Sequence, residues 1–196
     1  MSKELFLRMG LPVLMRYGAD EFTIHKLACE YQLNQEELAK CFPGGDSELL
    51  MDEVSYAGRL WLQKLNETLS NTERSKEERL TYLVTEYVNG TNGYSDSLAV
   101  YIDLWKKIRD YNDPYLTKRL KEIYRMYADD FIRMLEEILP FKGTDEEKKA
   151  FSILMTVSSD TLHIQSMLFS EEFDIGEVVK ILVNFAFLFI KERSYE

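Results

Sequence analysis

The chain has 196 residues, 45% of them hydrophobic and 30% charged, with 24 Lys or Arg against 34 Asp or Glu and a net charge of −10. That length holds one sizeable core or two small domains, and the mix is that of an ordinary soluble globular protein. The acidic balance disfavours nonspecific hold on nucleic acid or on an anionic membrane, leaving room only for a local basic patch.

The first predicted helix carries Phe6, Leu7, Met9, Gly10, Val13 and Leu14 at helical spacing. Pro12 falls inside it, where it removes a backbone hydrogen bond and costs about 3 kcal/mol unless the helix kinks or starts late. Gly18 reads as its stop, since glycine takes the left-handed conformation cheaply. Thr23 reads as the N-cap of a second helix whose inward side is Ile24, Leu27 and Ala28. Asn34, with Glu37 three residues on, reads as a capping box opening a third helix that buries Leu38, Cys41 and Phe42. Two short helices joined by about three residues, packed on a preceding helix, make a helix-turn-helix.

The segments FLRMGLPVLMRYG, TIHKLACEYQLNQEELAKCF and DSELL resemble the tetracycline-repressor (TetR) family of transcriptional regulators. Gly18, Thr23, Ile24, Leu27, Ala28, Leu33, Leu38 and Phe42 fall where that family's framework residues fall. The likeness is almost gapless over about a quarter of the chain. It implies an N-terminal DNA-binding domain over residues 1–46, a ligand-binding and dimerisation domain over 47–196, and a two-fold homodimer. The DNA-binding residues it implies are Thr23, His25, Lys26, Asn34, Gln35, Glu36, Ala39 and Lys40. Several depart from the family pattern. His25 stands where a basic residue usually faces phosphate, Glu36 replaces a small residue, Ala39 replaces an aromatic, and Gly45 stands near a common lysine. Gln32 replaces a common glycine, and the PGGD link is one residue longer than usual. Residues 1–50 hold five Lys or Arg against eight Asp or Glu, whereas DNA-reading surfaces draw much of their affinity from cations on phosphates.

Asp46 or Ser47 is expected to cap a long fourth helix with Leu50, Val54, Leu60, Trp61 and Leu65. Ser75 and Glu78 form a capping box for the fifth, and Gly90 and Gly93 bracket a loop before the sixth. Asp113-Pro114 opens a long amphipathic seventh helix, ended by Pro140 and Gly143. Thr144 with Glu147 opens the eighth, and Asp174 with Glu177 opens the ninth. No strand-like alternation or internal repeat stands out. The expectation is an all-α chain of about nine helices. The last two are apolar over wide arcs, through Phe151, Leu154, Met155, Leu162, Ile164, Met167 and Leu168, and through Ile181 to Ile190. Core filling explains part of that width, and pairing with a second copy explains the rest.

The middle helices are rich in aromatics and methionine, with Tyr87, Met126 and Met134 joining the residues named next as suitable pocket lining. Tyr82, Tyr101, Trp105, Tyr124, Tyr127, Phe131, Met155 and His163 are the candidate lining of a pocket for a small apolar or amphipathic ligand, with Ser158, Ser159 and Asp160 nearby. Plain core packing is the alternative for any one of them. Cys29 and Cys41 both fall on expected inward faces and read as reduced core thiols. No zinc-type spacing is present, and no metal or cofactor is expected. No nucleophile elbow, P-loop, dinucleotide fingerprint or zincin motif is found, so an enzyme is not expected. The start lacks a signal-peptide core and the run from Ile181 is too short to span a membrane, which suggests a cytoplasmic protein. Two functions remain open: a dimeric regulator whose operator binding answers to a small ligand, or a module of the same shape with impaired DNA binding that acts through a protein partner. Weak, mildly salt-sensitive DNA binding is expected of the acidic third helix.

Overall fold

A computed structural model describes residues 2–70, 73–89, 95–168 and 174–194, with some side chains within those ranges excluded. Nine α-helices are described and no strand. They are α1 (Lys3–Glu21), α2 (Ile24–Tyr31), α3 (Gln35–Cys41), α4 (Gly45–Leu69), α5 (Lys76–Asn89), α6 (Ser95–Tyr111), α7 (Pro114–Ile138), α8 (Asp145–Leu168) and α9 (Ile175–Ser194). The chain is all-α, as its sequence pattern predicts. Gly90 and Gly93, expected to bracket a loop, lie outside the described residues. No described helix is long and apolar enough to cross a membrane.

The chain divides into two compact units. The first comprises Met1–Leu60 and Tyr94–Ile123, and the second Trp61–Gly93 and Tyr124–Glu196. The helices α6 and the first part of α7 therefore group with the N-terminal helices.

In the first unit, α1 buries Phe6, Leu7, Gly10, Val13, Leu14 and Ala19. Pro12 sits inside α1 on an exposed position, where solvent can take up the carbonyl that its missing N–H would have met. The non-helical residue is Gly18, with φ 74° and ψ 174°. The chain breaks there and adds one short turn before Phe22. Helix α6 fastens this end, since Lys107 Nζ donates to the Ala19 carbonyl at 2.7 Å. Leu27, Leu38 and Phe42 are buried almost completely and hold α2 and α3 in the unit.

Two expectations are corrected here. Cys29 is exposed and Cys41 only half-buried; the buried stripe of the eight-residue α2 is Ile24, Leu27 and Ala28, and Cys29, one residue beyond Ala28, is turned about 100° away from it. Helix α4 starts at Gly45, before either expected cap. Asp46 instead serves α2, its Oδ1 accepting from the Ile24 N–H at 2.7 Å.

In the second unit one core joins α5, α8, α9 and the parts of α4 and α7 that belong to it. Leu65, Leu80, Leu83, Phe131, Leu135, Met155, Val183 and Ala186 are among its buried members. Phe151 and Phe189 stack at 4.7 Å with planes 6° apart. Arg193 covers Phe189 at 3.9 Å and reaches Glu147 at 3.1 Å, which ties the end of α9 to the start of α8.

Candidate functional site

The recognisable site in the first unit is the α2–turn–α3 surface. Thr23 Oγ1 accepts from the Lys26 N–H at 3.0 Å, which engages one lone pair of its oxygen in capping α2. Gln32 carries the turn with φ 53°, and its N–H and that of Leu33 close onto the Cys29 and Ala28 carbonyls. That is the Schellman closure of a helix end, made here by glutamine where glycine would be cheaper. Asn34 Oδ1 accepts from the N–H groups of Glu36 and Glu37, at 2.9 and 3.3 Å, and starts α3.

Seven of the eight residues expected to meet DNA are on or beside this surface with exposed or half-exposed side chains, and the eighth, Thr23, is half-exposed at the start of α2. Gln35, Glu36, Ala39 and Lys40 are all exposed along α3. His25 on α2 turns toward them, its Nδ1 3.2 Å from Gln35 Oε1 and its Nε2 3.6 Å from Cys29 Sγ. Asn34 is exposed, with its carbonyl oxygen engaged in the cap.

Two cations near this surface, Lys26 and Arg16, are engaged. Lys26 Nζ lies 3.7 Å from the centre of the Tyr17 ring and 3.5 Å from Glu21. Arg16 reaches Glu30 at 2.6 Å, and the Tyr17 hydroxyl donates to the other oxygen of Glu30 at 3.2 Å. Lys40 stands exposed in the last turn of α3, which opens with Glu36 and Glu37. Among the described residues the surface thus offers one plainly presented cation, Lys40, and two carboxylates, Glu36 and Glu37, on the helix that would enter a groove.

The expected ligand-lining residues fall in both units. Tyr101 and Trp105 are half-buried in the first. In the second, Phe131 and Met155 are wholly buried, whereas Tyr82, Tyr124 and Tyr127 are half-buried. The His163, Ser159 and Asp160 side chains lie outside the described residues. The structure adds one residue, Trp61, that the sequence does not single out as lining. Trp61 packs 5.0 Å from Tyr87 and 5.7 Å from Tyr127, and Tyr87 packs 4.8 Å from Phe131. The Tyr87 hydroxyl donates to the Tyr127 carbonyl at 3.1 Å, and burial pushes its pKa well above the usual tyrosine range. The indole N–H of Trp61 is buried with no acceptor among the described residues. These rings form an aromatic cluster that holds one buried, unspent donor.

A third group lies at the start of α4 in the first unit. Lys3 of α1 bridges Glu48 at 2.7 Å and Asp52 at 2.6 Å, and Arg119 of α7 reaches Asp52 at 3.0 Å. Beside it, Glu53 is buried with both oxygens unpartnered. Among the described residues no cluster of His, Cys, Asp or Glu is composed to hold a metal ion.

No family model matches the sequence, and no curated protein does. Solved structures share the fold. A TetR transcription regulator from Haloarcula marismortui superposes with a TM-score of 0.65 at 13% identity, covering 97% of this chain and 96% of that one. A transcriptional regulator FadR from Bacillus subtilis, in complex with stearoyl-CoA, gives 0.64 at 11% identity, covering 93% and 96%. A protein assigned as a transcriptional regulator from Saccharomonospora viridis, in complex with choline, gives 0.61 at 17% identity, covering 93% of each chain. The chain therefore has the fold of TetR-type transcriptional regulators over nearly its whole length.

Proposed function

We propose that the chain is a one-component transcriptional regulator of the TetR family: a cytoplasmic homodimer, not an enzyme, whose N-terminal head binds an operator under the control of a small apolar or amphipathic ligand. The observation that carries this reading is the helix-turn-helix of α2 and α3, set within a fold shared end to end with such regulators. Thr23, His25, Lys26, Asn34, Gln35, Glu36, Ala39 and Lys40 form the contact surface. Glu36 would accept from a cytosine amino group and Lys40 would meet phosphate or guanine.

The dimer reading is supported by α8 and α9. Each buries one stripe and exposes another: Ile153, Leu154 and Val157 on α8, and Ile181, Phe185 and Leu188 on α9. The ligand reading is supported by the nest of Trp61, Tyr87 and Tyr127 with its unspent indole N–H, with Tyr82, Tyr124, Phe131 and Met155 in the same unit and Tyr101, Trp105 and His163 retained as candidates. Two neighbours of this fold are in complex with stearoyl-CoA and with choline, which supports a small-molecule ligand here.

A second reading, a module of the same shape that acts through a protein partner, is favoured by one observation. The acidic α3 lies beside cations already held by Glu21, Glu30 and Tyr17. A gel shift of the purified dimer against DNA from upstream of its own coding sequence, at low and moderate salt, separates the two. A discrete retarded band supports the regulator. An intact dimer that leaves the DNA unshifted at both salts overturns it in favour of the second reading.

A further inference from the structure

Glu53, in the third turn of α4, has 0% exposure, and neither of its carboxyl oxygens has a hydrogen-bond partner among the described residues. It lies against α1. A Cβ placed on Gly10 would stand 2.3 Å from Glu53 Oε2 and 3.1 Å from the tip of the Phe22 ring. The carboxyl therefore rests directly on the glycine backbone, in a space that only the missing side chain of Gly10 leaves open.

The charged groups of the surrounding helices are directed elsewhere. On α4 itself, Asp52 is held by Lys3 and Arg119 and Glu48 by Lys3. On α1, Arg8 pairs with Glu4. On α7, Arg119 divides between Asp52 and Glu122. On α6, Lys107 goes to the Ala19 carbonyl and Asp20. Among the described residues the negative Asp52 acts on Glu53 from a distance, and it disfavours a second negative charge. An ionised carboxylate with no partner is not stable in such a place, whereas the neutral acid is tolerated. Burial, reinforced by Asp52, raises the Glu53 carboxyl to about 9.

We propose that Glu53 is a proton-operated lock between α1 and α4: protonated, it seats on Gly10 beneath Phe22, and ionised, it must leave that seat and loosen the two helices. The lock belongs to the N-terminal unit alone and holds whatever that unit binds. Because the carboxyl takes up its proton more readily in the folded state, the stability it supports is complete below the ordinary carboxylate range. It is lost progressively as pH rises toward the folded value. Between those limits one proton is released per molecule unfolded, so the unfolding constant rises about tenfold per pH unit.

The test uses the full chain with 13C-labelled glutamate side chains, titrated by NMR, and urea unfolding at pH 6, 7 and 8. One carboxyl signal, absent from Glu53→Gln, should titrate above pH 7. The Glu86 carboxyl, also raised by burial, is told apart by Glu86→Gln. The unfolding constant of the parent should climb about tenfold per pH unit more steeply than that of Glu53→Gln. A Glu53 signal that titrates with the ordinary carboxylates, or a Gln variant that keeps the parent's pH slope, would overturn the proposal. If Glu53→Gln does not fold, Glu86→Gln decides: absence of any glutamate carboxyl titrating above pH 7 in that variant overturns it. The seat has its own test. Gly10→Ala should destabilise the parent far more than it destabilises Glu53→Ala, where the colliding carboxyl is gone. Equal losses in the two backgrounds would show that the glycine does not receive Glu53.

Discussion

At Gln32 the backbone is left-handed, with φ 53° and ψ 42°, which costs an L side chain about 1–2 kcal/mol. The carbonyls of Ala28 and Cys29 hold the turn closed, so the cost is retained in the fold. Gln32→Gly removes it, and part of that gain returns to the looser unfolded chain. The net expectation is a stabilisation of up to about 1 kcal/mol, read as a higher urea midpoint with an unchanged slope. Thr23→Ala runs the other way: the Lys26 N–H loses its acceptor, and about 1 kcal/mol is lost. Residues of this kind are legible in sequence because their partners lie two or three positions away. The caps at Thr23, Asn34, Asp113 and Thr144 are read directly from short polar side chains before apolar runs. Cys29 and Glu53 are not legible in that way. Cys29 shows its surroundings only once α2 is known to bury a single narrow stripe. Glu53 is admitted to the interior by an absence on another helix, at Gly10, some forty residues earlier. Asp46 is misread for the same reason, since the N–H it accepts belongs to α2 and not to its own helix.

At the scale of the element, α8 and α9 show how an apolar arc divides. Val179, Val183, Ala186 and Ile190 recur at spacings of three and four and face the core of their unit. Ile181, Phe185 and Leu188 recur in the same way on another side and remain exposed, Ile181 at 65% and Leu188 at 61%. Sequence periodicity sees one broad arc, because both stripes are apolar; only the packing separates them. Six large apolar side chains are exposed on these two helices, three on each, and exposed apolar stripes of that kind mark surfaces that meet a partner. Substitution on the exposed stripe should therefore act on assembly and spare the fold. Ile181→Glu with Leu188→Lys is expected to convert a dimer to a monomer at micromolar concentration by light scattering, with helical content unchanged by circular dichroism. A parent chain that is already monomeric at that concentration would show that the stripe serves something other than a second copy.

At the scale of the whole molecule, the charge of −10 sets the terms on which any DNA is met. Affinity for a duplex grows with the number of phosphates neutralised, and the slope of log affinity against log salt grows with the same number, about 0.9 per contact. Helices α2 and α3 carry two cations, Lys26 and Lys40. Lys26 is shared with the Tyr17 ring and Glu21, and its exposed pairing is worth at most about 1 kcal/mol, so DNA could draw it away. A dimer then has at most four such contacts, and a slope of about −3.6 or shallower follows. The remaining negative charge repels the duplex, and screening relieves that repulsion as salt rises, which flattens the slope further. Weak and mildly salt-sensitive binding is the expected outcome. Lys40→Ala should remove most of it. Glu36→Gly should tighten it, by withdrawing a carboxylate from the exposed face of α3. Glu30→Gln should tighten it as well, since Arg16 and Tyr17 are released from the carboxylate that now holds both. A titration of the dimer with operator-length duplex at two salt concentrations checks all four chains together. Nanomolar affinity with a slope far steeper than −3.6 would mean that cations outside α2 and α3 reach the phosphates, and that an acidic α3 is not what limits this head.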